Sequence, residues 1–237
     1  MKRKKTLKII IAALLVLAVI GGLVYALSWY PLKPVPDMSK ARIACIGDSI
    51  TYGAGVFLPL RNRLSYPAYL QELAGEEYQV LNYGLSGRTL LDEGDMPYRQ
   101  EKFFPLSKAA QASVYIIMLG TNDSKPFNWN RAAYETELAD FISEYRDASP
   151  AAGIYVMLPP KAFPLKSGSV AYDISDDVIR EEVIPVIREV CGDMDIPVID
   201  LYSLTETHPE WFGDGVHPNS DGNRHIAEYI FDSLQTA

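Results

Sequence analysis

Residues 114–123 read "VYIIMLGTND": six apolar residues in a row, then Gly120, then Thr121, Asn122 and Asp123. An unbroken apolar run of this length fits a strand covered on both faces, as in parallel sheets flanked by helices. Similar runs at 42–46, 79–83, 154–158 and 198–201 join 114–119 to make five predicted strands. Between and after them lie predicted helices at 66–74, 106–112, 131–148, 176–190 and 221–234. In 131–148, Ala133, Leu138, Phe141, Ile142 and Tyr145 recur at three and four residues and mark one helix face. Pro185 is expected to kink or split the 176–190 segment. Strands alternating with helices imply right-handed crossovers and a parallel α/β sheet covered on both faces.

In such sheets ligands bind beyond the carboxyl ends of the strands. The residues found there are "GDS" with Ser49, "NYGLSG" with Gly84, and "GTND" with Asn122, while "DGVHP" near the C-terminus holds Asp214 and His217. A serine hydroxyl becomes nucleophilic when a base removes its proton, and an imidazole near neutrality suits that task. His217 is the candidate base. Asp214, three residues earlier, would lie beside it in a helical turn and orient it. The N–H groups of Ser49 and Gly84 and the Asn122 amide could stabilise an oxyanion, Gly84 by letting backbone approach a ligand. Each residue alone is a common turn or cap residue, so the chemical reading rests on their occurring together. His208 and His225 are read as structural. No His-x-x-x-His, Cys-x-x-Cys, Gly-x-Gly-x-x-Gly or Gly-x-x-x-x-Gly-Lys is present, so no metal and no cofactor is expected.

The chain has 237 residues, long enough for one domain with a substantial core. "MKRKK" and Lys8 carry five positive charges, and the nineteen residues from Ile9 to Leu27 carry none. That approaches the ~20 residues of a spanning helix, and the leading positive charge would keep the N-terminus inside and the rest of the chain outside. Val24 and Ala26 also make a passable signal cleavage site, which would release the same domain. The expected organisation is a basic segment (1–8), an anchor or signal peptide (9–27), a Pro-rich spacer (28–40) and a folded domain (41–237). Without its leading basic residues the chain retains 17 Lys and Arg against 30 Asp and Glu, about −13. Such a domain would repel nucleic acid and would meet the membrane only through its N-terminal helix. Cys45 and Cys191 are expected to be buried free thiols, a disulfide being the alternative.

"IGDSITYG", "NYGLSG", "LGTND" and "DGVHP" resemble, in order and spacing, the four blocks of the GDSL/SGNH hydrolase superfamily of esterases and lipases. The resemblance spans Gly47 to Pro218. It implies a flavodoxin-like α/β/α sandwich around five parallel strands, with Ser49, Asp214 and His217 as catalytic triad and Ser49, Gly84 and Asn122 as oxyanion donors. It also fits the lack of a Gly-x-Ser-x-Gly elbow around Ser49. "GTNDSKPFNW", "PPKAF" and "GVHPNSDGN" look like a bacterial branch of carbohydrate O-acetylesterases. Trp129, Phe127, Phe163 and Tyr98 lie in two long irregular stretches, 86–104 and 159–171, or beside "GTND" and could face a sugar ring. Arg88, Asp92, Glu93, Asp95, Arg99 and Lys161 in those stretches argue against a continuous groove for a long acyl chain. The resulting expectation is a short-chain esterase, acetyl foremost, acting on a small or glycan ester. A lysophospholipase or thioesterase of the same fold is the alternative within enzymes, and a non-catalytic carbohydrate-binding protein the alternative outside them.

Overall fold

The computed structural model describes residues 2–29 and 33–236. They fall into two compact units, Met1–Leu32 and Lys33–Ala237. The first is one helix, α1 (Lys2–Trp29), long and apolar enough over Lys5–Ala26 to cross a membrane. It continues two residues past the expected boundary at Leu27, and residues 30–32 of the Pro-rich spacer, Pro31 among them, lie outside the described residues.

In the second unit, residues 33–37 have no regular structure and are tied to a neighbouring strand through Gln79. Its Nε2 donates to Val35 O at 3.0 Å, and Asp37 N–H donates to its Oε1 at 2.6 Å. Among the described residues one five-stranded sheet follows: β1 (Ala41–Gly47), β2 (Tyr78–Gly84), β3 (Val114–Met118), β4 (Gly153–Leu158) and β5 (Val198–Asp200). Every pair is parallel and the order is β2-β1-β3-β4-β5. The chain steps outward in one direction from β1 to β2 and in the other from β3 onward. The carboxyl edge between β1 and β3 is therefore the switch point at which open α/β sheets form their clefts.

The longer helices are α4 (Tyr66–Ala74), α6 (Arg131–Ala148), α8 (Ile184–Asp193) and α10 (Ser220–Gln235). Shorter ones are α2 (Ser49–Tyr52), α3 (Arg61–Leu64), α5 (Phe103–Ala109), α7 (Asp176–Val178) and α9 (Leu201–Thr205). Because strand side chains alternate, Ala44, Ile46, Tyr115 and Ile117 face one core with Phe104, Phe141, Tyr145 and Ile187 from α5, α6 and α8. Ile43, Cys45, Ile116 and Met118 face the other, with Leu70, Ile226 and Ile230 from α4 and α10. Two helical layers thus enclose one sheet. Cys45 and Cys191 belong to opposite cores and are free, and burial pushes both thiols up to about 12.

The five strands fall within two residues of expectation, as does α10, while α4 and α6 start and end where the spacing predicts. On α6 it is Tyr134, Leu138, Phe141, Ile142 and Tyr145 that are buried, and the Asn130 side chain caps its start by accepting Ala133 N–H at 3.2 Å. The 106–112 helix starts earlier, at Phe103, because Phe103 and Phe104 are both buried, and it ends before Gln111, which turns left-handed at φ 47°. The 176–190 segment is distorted ahead of Pro185 without leaving helical backbone. One wide π turn, Ile179–Val183, precedes α8, in whose first turn the proline's missing N–H costs nothing.

Candidate active site

β1 ends at Gly47, and Asp48 caps α2, its Oδ1 accepting Ile50 N–H at 2.9 Å. Ser49 is therefore the first residue of a helical turn, where an N–H has no intrahelical acceptor. Its Oγ lies 2.8 Å from His217 Nε2. The other ring nitrogen, Nδ1, lies 2.7 Å from Asp214 Oδ2. Asp214 Oδ1 in turn accepts the N–H groups of Val216 at 3.0 Å and His217 at 2.8 Å. The turn is thus folded around the carboxylate, and "DGVHP" places acid and imidazole side by side. Behind it, Asn223 Nδ2 donates to Pro218 O at 2.6 Å and Asn219 caps α10, which ties the turn to the last helix. Burial pushes the Asp214 carboxyl up, but the hydrogen bond and charge of His217 and the two backbone N–H groups outweigh it. The group is held well below the ordinary range and stays ionised.

Asn122 also reaches this edge. Its Nδ2 donates to Arg88 O at 3.2 Å and lies 3.4 Å from Asp48 Oδ2. Gly84 behaves otherwise than expected. Its N–H is donated to Asn82 Oδ1 at 2.9 Å, and a Cβ there would lie 2.2 Å from Tyr52 N. The missing side chain admits the backbone of α2, not a ligand. Gly87, three residues on, adopts φ 81°, and its N–H has no partner among the described residues.

The four aromatic candidates separate. Tyr98 is fully buried in the core, with its hydroxyl donated to Tyr83 O at 2.7 Å, so it faces no ligand. Trp129 is half-buried against α6 and donates Nε1–H to Glu182 Oε2 at 2.8 Å. Phe127 is exposed. Phe163 packs on Phe212, ring centroids 5.3 Å apart, and its N–H bonds Gly215 O at 2.8 Å, beside Asp214. Four of the six charges singled out in the two stretches are ion-paired: Arg88 with Glu101, Asp95 with Lys125, and Arg99 with both Asp92 and Glu144.

Three participants were not picked out from sequence. Tyr172 donates its hydroxyl to Asp214 Oδ2 at 3.0 Å and sets its ring edge-on to His217, centroids 5.2 Å apart. Asp48 and Asp123 lie buried near the serine. Burial pushes Asp48 to about 6 against the Ile50 N–H and the charge of His217. It pushes Asp123 to about 7 against the N–H groups of Leu91 and Leu90. No local pattern marks Tyr172, whereas the "GDS" and "TND" carboxylates could have been suspected from their place after strands. Among the described residues no cluster of His, Cys, Asp and Glu could hold a metal ion.

A sequence profile of GDSL-like lipases and acylhydrolases matches residues 45–225, most of the domain and all of these positions. The chain belongs to the GDSL-like lipase/acylhydrolase family. That family is one of ester-cleaving lipases and acylhydrolases. A curated acetylxylan esterase of Xylanibacter ruminicola is 36% identical over 220 residues, which cover 86% of this chain and 45% of that protein. The chain thus spans about half the length of this curated relative. The aryl esterase of M. smegmatis superimposes with a TM-score of 0.63 at 21% identity, covering 83% of this chain and 99% of that one. A carbohydrate acetylesterase of Sinorhizobium meliloti does so with a TM-score of 0.61 at 19% identity, covering 83% and 99%. At these identities the two structures attest to the GDSL-type fold alone.

Proposed function

We propose that the domain is a serine esterase that removes short acyl groups, acetyl foremost, from carbohydrate. The observation that carries this reading is the unbroken chain Asp214 Oδ2 to His217 Nδ1 and His217 Nε2 to Ser49 Oγ, at 2.7 and 2.8 Å. In this reading His217 takes the Ser49 proton as Oγ attacks the ester carbonyl, and Asp214 stabilises the resulting imidazolium. His217 then gives the proton to the leaving alcohol, and water repeats the sequence on the acyl-enzyme. The Ser49 N–H and the Asn122 amide meet the oxyanion. The third donor is assigned to Gly87, whose N–H is unengaged in the turn whose Arg88 carbonyl touches Asn122, and not to Gly84.

The carbohydrate substrate is supported by the likeness to the Xylanibacter ruminicola acetylxylan esterase. The apolar α1 with its basic start is read as a membrane anchor or signal peptide that leaves the catalytic domain outside the cell. The test is hydrolysis of p-nitrophenyl esters of rising chain length, and then of acetylated xylan, by the purified full chain beside Ser49→Ala. Ser49→Ala should lower kcat by about 10⁴-fold or more. Activity untouched by that change would overturn the triad. A steep rise from acetate toward octanoate would replace the acetylesterase reading with the lysophospholipase or thioesterase one.

A further inference from the structure

Asp214 receives one more hydrogen bond than a Ser-His-Asp chain requires, and it comes from a residue outside the four motif blocks. Tyr172 donates its hydroxyl to Asp214 Oδ2 at 3.0 Å, the same oxygen that faces His217 Nδ1 at 2.7 Å. The tyrosine is not tucked away by packing, being 57% exposed. Its backbone and that of Asp173 both sit in the left-handed region, φ 62° and 58°, which non-glycine residues rarely adopt. Two such residues in succession persist only where the surroundings hold them. The hydroxyl contact to Asp214 and the edge contact to His217 are the interactions that hold Tyr172 here.

We propose that Tyr172 is a positioning residue of the site: its hydroxyl fixes the Asp214 carboxylate and shares the charge that Asp214 offers to His217. This rests on the triad reading given above. Oδ1 is spoken for by two backbone N–H groups, so the carboxylate cannot rotate about its axis without losing them. Oδ2 is the free end, and Tyr172 and His217 restrain it from two directions. The charged or titratable groups facing His217 are Asp214 and Tyr172 on its outer side and Ser49 and the buried Asp48 on its inner side. Partial burial and the neighbouring Asp214 charge push the Tyr172 phenol upward, so it remains a donor throughout the working range.

The consequence for pH has a definite sign. A donor on Oδ2 draws charge away from the imidazolium that forms on His217. Its removal favours the charged imidazolium, and the enzyme then needs a higher pH to present a neutral base. In Tyr172→Phe the ring and the backbone demand remain while the hydroxyl goes. The acid limb of kcat/KM for p-nitrophenyl acetate should move up by about half a pH unit, and kcat at the plateau should fall about fivefold with KM unchanged. The same substitution in an Asp214→Asn background should change kcat less than twofold, because its partner is gone.

The measurement is the pH profile of full-length wild type, Tyr172→Phe, Asp214→Asn and the double variant, with Tm taken for each. An unmoved acid limb in Tyr172→Phe, or an equal loss with and without Asp214, would overturn the proposal. Failure of the triad reading gives a different result, an Asp214→Asn enzyme as active as wild type.

Discussion

Two long irregular stretches, 86–104 and 159–171, look alike in sequence, for both mix aromatic residues with charges at the carboxyl edge of the sheet. In the first, several polar side chains turn inward, and the group proposed for the site is a backbone one, the Gly87 N–H. Arg88 is 1% exposed and pairs with Glu101 at 2.5 Å, Tyr98 is buried outright, and Asp123 reaches in to take the N–H groups of Leu90 and Leu91. From the second and the residue just after it, two contacts reach the proposed triad's turn, Phe163 N–H to Gly215 O and the Tyr172 hydroxyl to Asp214. Length identifies a loop as something other than a generic connection. Whether it is scaffold or site depends on which partners its polar groups meet, and sequence order does not reveal them.

The comparison is most exposed at Arg88. Arg88→Met strands Glu101 beside a gap, and since Glu101 keeps some solvent contact the cost sits at the low end for a broken buried pair, about 3 kcal/mol. Tm should fall by roughly 6–12 °C while KM for a short ester stays within about twofold. A raised KM at unchanged Tm would place the Arg88 side chain, and not only the backbone of its turn, in the site. Tyr98→Phe is a milder version. Loss of the bond to Tyr83 O should cost about 1 kcal/mol and lower Tm by roughly 2–4 °C, with kcat unaltered.

Asp123 yields the pH version. Its folded value, about 7, lies above the ordinary 3.8, so folding favours its protonated form. That contribution is present at low pH and is lost as pH rises through about 7. Between pH 5 and pH 8 the wild type should therefore lose about 2–3 kcal/mol relative to Asp123→Asn, whatever the offset between them. Parallel Tm–pH curves for the two proteins would show that the carboxyl is already ionised beneath the loop. The smallest stability effect lies just after the second stretch. Tyr172→Phe, at an exposed position, should leave Tm within about 1 °C while activity falls.

Much of the scaffold was legible because its signals are local. The run 114–119 needs only its own residues to announce a doubly covered strand, and Pro185 carries its disruption of the helix in its own ring. Ser49, Asp214 and His217 were legible as a group because each follows a strand or occupies a tight turn, where hydrogen bonding is a matter of near neighbours. Gly84 was misread because a glycine announces that something comes close without saying what, and here it is the backbone of α2. Tyr98 was singled out as a ligand contact and Tyr172 was passed over, because nothing local separates the two tyrosines. One meets Tyr83 O, fifteen residues away, and the other Asp214, forty-two residues away, and neither distance is written in the intervening sequence.

The grip of Gln79 on Val35 and Asp37 has a practical corollary. It lies at the amino end of the sheet, whereas Ser49 follows the far end of β1, seven residues along, which at ~3.3 Å each is a span of ~20 Å. A load applied through Lys33, whether from a resin, a label or a pulling probe, is taken up by the Gln79 amide and the start of β1. Ser49 follows the opposite end of β1, so a protein fixed by its Lys33 end would keep the proposed site directed away from the attachment.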